Sequence, residues 1–202
     1  MYEIYSSPTT PFGRKVLVAA AEMGMSDRVR VTLASGTPLD PGTMPLAQNP
    51  LGKIPVLIRP EGGALYDSRV ICRYLDQVSG AGLYPEGPAL WDVLMLEATA
   101  DGMLEAALLI VYEGRIRPEA LQFAPWVEGQ WAKIARALDT AEADWLPLLQ
   151  GRIQMGQIAL GCALGYLDFR LAQRGWRSGR PGLATWFDSF QSRPSMQATV
   201  PS

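Results

Sequence analysis

The segment NPLGKIPVL at Asn49–Leu57, followed by LYDSRVICRYLD at Leu65–Asp76, decides the fold. Ile54–Ile58 has the apolar character of a strand, yet Pro55 stands inside it, where proline forfeits a ladder hydrogen bond. Two roles fit it. One is a plain edge-strand proline. The other is a cis Ile54–Pro55 bond that turns the N–H and C=O of Ile54 outward, where an extended peptide can pair as an added strand. Glu61-Gly62-Gly63 reads as a hairpin turn into a further strand, Ala64–Tyr66. Asp67 or Ser68 then caps a helix running to about Val78. The open N–H groups and positive dipole end of such a helix favour an anion, the Ser68 hydroxyl adds a donor, and Asp67 can accept an ammonium. One α-amino-acid head presents both charges. Lys53 can meet a carboxylate at the far end of the same ligand, or stand solvated on the surface.

Working outward, Tyr2–Tyr5 reads as a short strand and Pro11–Met23 as a helix. Pro11 suits its first turn, Thr9 or Thr10 can cap it, and Gly24 stops it. Arg28–Leu33 alternates and reads as a second strand, while the Pro/Gly-rich stretch Gly36–Pro50 reads as loop. The order is β-α-β-loop-β-β-α. Composition changes at Ser79–Pro88, and beyond it nothing reads as a strand. Helical spacing covers Ala89–Arg115, Pro118–Leu146, Gln157–Arg174 and Gly182–Gln191. The expected organisation is therefore an α/β domain over residues 1–77, a linker over 78–88 and an all-helical domain over 89–202.

The 202 residues carry 18 Lys+Arg, 20 Asp+Glu, no His and two Cys, with 48% apolar residues. A net charge of −2, spread without strong asymmetry over both halves, offers no polyanion partner, so no nucleic acid is expected. The absence of His removes Ser-His-Asp and Cys-His nucleophile systems and His-containing metal sites. Cys72 and Cys162 are too few for a structural zinc site and make no CxxC pair, so no metal is expected; both fall in apolar helical patterns, as buried and inert cysteines do. No apolar run reaches the ~18 residues of a spanning helix, and no basic and apolar leader opens the sequence. Together these predict a cytoplasmic protein with no membrane partner.

The order of elements and both motifs resemble the soluble glutathione transferases: a thioredoxin-like α/β N-terminal domain followed by an all-α C-terminal domain. Asn49–Leu57 resembles that family's segment before its cis-proline, Leu65–Asp76 its acidic-Ser motif, and Gln157–Arg170 the core helix of its second domain. The resemblance spans essentially the whole chain. It implies that Phe12, Lys53, Ile54, Pro55, Asp67 and Ser68 bind glutathione, with the γ-glutamyl head on Asp67 and Ser68. It further implies a homodimer and conjugation of glutathione to a small hydrophobic electrophile, the chemistry of detoxification. Trp91, Met95, Met103, Tyr112, Trp126 and Trp131 can line a pocket for that electrophile, or serve as core or interface.

In this family a hydroxyl or thiol before the first helix serves the glutathione sulfur. Here the stretch is Tyr5-Ser6-Ser7-Pro8-Thr9-Thr10-Pro11-Phe12-Gly13. Aligned on Pro-Phe, a glutaredoxin-like pair of cysteines would fall at Thr10 and Gly13, so dithiol chemistry by the protein is excluded. Thr10 occupies the place of Ser in a Ser-Pro-Phe loop and resembles the Thr of the nu-class Thr-Pro-Asn-Gly, with Phe12 in place of the Asn. Thr10 and Thr9 are the candidate catalytic residues, Ser7 stands third, and all three can equally serve only the helix end. Gln154-Met155-Gly156-Gln157 stands where the family places a Ser/Thr-x-x-Asp capping box, and the Gln is expected to cap less well, at a cost of about 1 kcal/mol. The alternative activities are glutathione-dependent reduction of disulfides or peroxides, and a non-catalytic binding role.

Overall fold

Strand β1 (Tyr2–Ser6) buries Tyr2, Ile4 and Ser6 in the strict alternation of a half-buried strand, and it lies inside the sheet. In the computed structural model, which describes residues 1–201, helix α1 (Pro11–Glu22) follows it. Strand β2 (Val29–Leu33) then returns parallel to β1, with Tyr2 opposite Val29 and Ser6 opposite Leu33. Strand β3 (Val56–Ile58) runs antiparallel to β1, and β4 (Ala64–Leu65) antiparallel to β3, giving the sheet order β2-β1-β3-β4. The third strand is shorter than the apolar run Ile54–Ile58. Pro55 has no N–H to give, and the ladder begins at Val56, opposite Tyr5.

Helix α2 (Ser68–Ser79) starts on its cap Asp67 and stops at Gly80, whose φ of 67° is the left-handed turn that glycine adopts without cost. The stretch after it is not slack. Asp76, the last residue of the second motif, is buried and accepts the Leu83 and Tyr84 N–H groups at 2.7 and 3.1 Å, while Arg73 stacks over the Tyr84 ring. Ile4, Val16, Ala19, Val56, Leu57, Ile71 and Leu75 form the core between sheet and helices.

This first unit holds Met1–Glu86 together with the segment that begins at Pro194, and the second holds Gly87–Arg193. The tail, expected with the helical half, therefore belongs to the α/β half. Buried Arg14 of α1 donates to the Met196 carbonyl at 3.1 Å and to Thr199 Oγ1 at 3.4 Å, Ser195 Oγ donates to Glu22, and the Met196 side chain is fully enclosed.

The second unit is built from α3 (Ala89–Ile116), α4 (Ala124–Thr140), α5 (Met155–Leu171) and α6 (Pro181–Phe190). α5 is buried along nearly its whole length, and Gly161 leaves room for the Phe190 ring, whose nearest atom would lie 2.4 Å from a Cβ. Two helical boundaries differ from the periodicity. Pro125 cannot sit inside a helix, so α4 starts at Ala124 rather than Pro118, and the Phe123 N–H donates to Glu113 at 2.8 Å. At its other end the chain widens into a π turn, Ala141–Trp145, and then tightens into a 3-10 turn, Leu146–Leu149.

α5 corrects the expectation about its cap. Gln154 and Gln157 close a reciprocal capping box, the Gln154 N–H donating to Gln157 Oε1 at 2.7 Å, so the longer amides perform what Ser and Asp would. Gln157→Ala should lower stability by about 1 kcal/mol, or some 2–4 °C in melting temperature, whereas an uncapped helix would be indifferent to the change. Cys72 and Cys162 are fully buried and form no disulfide. No helix among the described residues is long and apolar enough to cross a membrane.

Candidate functional site

β1 ends in the buried Ser6, and the chain turns there so that the Thr10 N–H donates to the Ser7 carbonyl at 3.2 Å. Thr10 is the N-cap of α1 in backbone terms: its φ and ψ are −82° and 121°, and its carbonyl receives the Arg14 N–H at 3.0 Å. Its side chain makes no capping bond. Among the described residues the hydroxyls of Ser7, Thr9 and Thr10 have no hydrogen-bond partner, so they are not spent on the helix end. Thr9 and Thr10 are both half-buried, as is Phe12 two residues further on.

The Ile54–Pro55 bond is cis, as is Tyr66–Asp67. Pro55 is buried, Ile54 half-buried and Lys53 exposed. Neither the N–H nor the C=O of Ile54 is bonded among the described residues, leaving one backbone edge open. Asn49, 2% exposed, holds the approach to that edge: its Nδ2 donates to the Lys53 carbonyl at 2.9 Å and its Oδ1 accepts the Leu51 N–H at 3.0 Å. The sequence motif alone gives Asn49 no task of its own. An Asx side chain folding its own loop is the signal that assigns its task.

Asp67 accepts the Arg69 N–H at 3.0 Å as the cap of α2, and the Arg69 guanidinium meets its other oxygen at 2.7 Å. Ser68 follows, buried, with no partner on its hydroxyl. Burial pushes the Asp67 carboxyl up, but the hydrogen bond and charge of Arg69, the Arg69 amide and the charge of Lys15 together hold it below its ordinary value of 3.8. Lys15 is fully buried in α1, which packs on α2. Position alone would have sent this lysine to the surface, so its influence on Asp67 was invisible in the sequence. Because the folded pKa is depressed, what the ionised Asp67 contributes is present above the ordinary value and lost as pH falls through the folded one. Ligand binding that depends on this carboxylate should stay level from neutral pH down to about pH 5 and fail only in stronger acid, as a calorimetric pH series would show.

The second-unit candidates separate. Met103 is core; Trp91 and Trp126 are exposed; Met95 lies near the surface; Tyr112 and Trp131 are half-buried. Among the described residues no group of three or more Cys, Asp or Glu stands together as metal ligands would.

The first unit thus carries, on one mixed sheet, an open backbone edge beside a cis-proline and a capped helix start bearing Asp and Ser. Residues 9–78 match the glutathione S-transferase N-terminal domain and residues 124–189 the C-terminal domain. The chain belongs to the glutathione S-transferase family. An Escherichia coli K12 protein described as the uncharacterized GST-like protein YibF is 33% identical over 98% of both chains. A glutathione transferase family member from Pseudomonas fluorescens Pf-5, solved with bound glutathione, superposes at a TM-score of 0.97 with 41% identity, covering 100% of both chains. A structure from the same organism with bound S-(propanoic acid)-glutathione gives 0.92 and 40%, covering 99% of each.

Proposed function

We propose that the protein binds reduced glutathione on its first unit, lowers the pKa of its thiol with the Thr10 hydroxyl and the N-terminus of α1, and conjugates glutathione through that sulfur to a small electrophile. The observation that carries this reading is the set of partnerless hydroxyls at Thr9 and Thr10. They stand on the same unit as the open Ile54 backbone and the Asp67-Ser68 helix start. Relatives at 41 and 40% identity hold glutathione and S-(propanoic acid)-glutathione.

The tripeptide backbone pairs with Ile54 beside Pro55, and Lys53 meets the glycyl carboxylate. The γ-glutamyl carboxylate takes the Ser68 hydroxyl and the first N–H groups of α2, and the γ-glutamyl ammonium takes Asp67. Arg69 already sits on Asp67, but both side chains are half exposed. Such a pair is worth about 0–1 kcal/mol, against about 1.5–3 for a hydrogen bond to a charged group, so the ammonium wins or shares the carboxylate. Phe12 supplies apolar contact beside the thiol. The thiolate then attacks an electrophilic carbon, forming a C–S bond as a leaving group departs with its electron pair or as an activated double bond takes up the electrons and a proton. Reduction of a disulfide would draw on the same thiolate, since neither buried cysteine can serve; a chlorinated aromatic and a small disulfide assayed side by side separate the two. The chain is expected to act as a homodimer, which light scattering on the purified protein checks.

Calorimetric titration with reduced glutathione tests the reading. The protein should bind, and Asp67→Ala should lose affinity by about tenfold or more. Asp67→Asn, which keeps a side chain able to cap α2, should lose affinity by a similar factor while unfolding near the parent temperature. Absence of binding at millimolar glutathione would reduce the motifs to scaffold.

A further inference from the structure

Helix α1 starts without the usual fastenings of a helix end. Its N-cap Thr10 makes no side-chain bond to the first turn, and no acidic residue stands in that turn. The Phe12 and Gly13 N–H groups have no partner among the described residues. Thr10 is held through its backbone alone, its N–H on the Ser7 carbonyl and its carbonyl on the Arg14 N–H at 3.0 Å. A side-chain cap would consume the hydroxyl that the glutathione sulfur needs.

What fastens this end comes from far along the chain. The segment from Pro194 belongs to the first unit, opens as the short helix α7 (Pro194–Gln197) and packs on α1. The carbonyl of its fully buried Met196 accepts from Arg14 Nη2 at 3.1 Å, and Thr199 Oγ1 accepts from Arg14 Nε at 3.4 Å. Thr199 Oγ1 in turn donates to the Ser195 carbonyl at 2.9 Å, which orients it as an acceptor for Arg14. At the far end of α1, Ser195 Oγ donates to Glu22. Arg14 is buried and has no carboxylate partner among the described residues. A guanidinium withdrawn from water onto neutral acceptors is a costly way merely to pack a helix, which an apolar side chain would do at less expense. Arginine adds what an apolar residue lacks: two nitrogens on the tail, from the residue whose own N–H closes the helix onto Thr10.

We propose that Arg14 is a positioning residue for ionisation of the glutathione thiol: gripped by Met196 and Thr199, it holds the first turn of α1 so that Thr10 presents its hydroxyl unspent to the sulfur. The inference rests on the glutathione reading and concerns how the thiol is ionised, not how the tripeptide is bound. Arg14 touches no substrate and acts through Thr10.

The test reads the thiol pKa of bound glutathione from thiolate absorbance across a pH series, with S-methylglutathione, which has no thiol to ionise, titrated calorimetrically in parallel. Arg14→Met should raise the pKa by about one unit, so that the thiolate fraction well below neutrality falls about tenfold. Thr199→Val removes one acceptor of the two and should raise it about half as far. Arg14→Lys, which keeps the charge but not the fork, should recover part of the loss. Ser195→Ala frees only the far end of α1 and should lower the melting temperature with the thiol pKa unmoved. S-methylglutathione should bind every variant as it binds the parent. Arg14→Met added to Thr10→Ala should raise the pKa no further than Thr10→Ala alone, because both changes remove one hydrogen bond. A thiol pKa that stays put in Arg14→Met, or shifts that add in the double variant as a charge acting directly on the sulfur would give, overturns the inference. Should Arg14→Met not fold, an unmoved pKa in Thr199→Val decides against it. Failure of S-methylglutathione to bind the parent sinks the glutathione reading and this inference with it; bound S-methylglutathione with an unmoved thiol pKa sinks the inference alone.

Discussion

Thr10→Ala should still bind glutathione, yet leave most of its thiol protonated near neutrality, so that turnover falls by about three- to 25-fold at pH 7 and by about ten- to hundredfold well below it. A thiol starts near pKa ~8.5, and bringing it about two units lower takes roughly 2.7 kcal/mol. A hydrogen bond to the charged sulfur supplies about 1.5–3 kcal/mol, and the α1 N-terminus about 0.3–1. The variant keeps the second contribution and loses the first, so the thiol pKa rises by about one to two units. The sign sets the pH profile. Rates of parent and variant should diverge below neutrality and converge above about pH 9, where the thiol ionises unaided. Ultraviolet absorbance of the bound thiolate gives the same pKa without needing a second substrate. Stability should barely move, because the Thr10 hydroxyl makes no capping bond that alanine would forfeit. Thr9→Ala, measured beside it, decides which hydroxyl acts. Unshifted thiol pKa in both variants ends the hydroxyl reading.

The features legible in the sequence are those written by residues with one strong backbone preference. Asp67 stands at the start of α2 and Gly80 at its end, Pro11 opens α1, and Pro55 marks the cis bond. Each acts within a few residues, so local reading sufficed. The misreadings came from competition between local signals or from partners far along the chain. Pro125 overrode a helical pattern that otherwise ran from Pro118, and Pro55 cut two residues from the apolar run Ile54–Ile58. The Gln154–Gln157 box was discounted on side-chain type, although an amide reaching back across one turn closes the same bond. Arg14 is enclosed because a segment some 180 residues later lies over it, which no local pattern encodes. The same holds for Lys15, whose charge bears on Asp67 from another helix. The proposed thiol site and γ-glutamyl site would thus be joined through α1: the residues just before it carry the open hydroxyls, Arg14 and Lys15 within it are the two buried cations, and the segment from Pro194 lies over Arg14.

The first turn of α1 also depends on Gly13. Gly13→Ala would add about 1 kcal/mol to an unconstrained helix, so a loss of stability would be diagnostic. Here the new Cβ would fall 2.0 Å from Ser6 Oγ, 2.5 Å from Thr10 Cγ2 and 3.2 Å from Ser6 Cβ. Ser6 is 1% exposed at the end of β1 and has little room to turn. Thr10 can relieve its share only by rotating about χ1, which carries the hydroxyl away with the methyl, or by moving the start of α1 off the sheet. Either response should cost about 1–3 kcal/mol, some 2–4 °C of melting temperature per kcal/mol. It should also raise the thiol pKa of bound glutathione as far as Thr10→Ala does. The two effects share one cause, so one repair should restore both. Ser6→Ala removes the nearest oxygen, and Thr10→Ser removes the methyl while keeping the hydroxyl. In that background Gly13→Ala should regain most of its stability and a depressed thiol pKa. A parent-like melting temperature in the single Gly13→Ala variant would show that α1 does not rest on the strand end closely enough to aim Thr10.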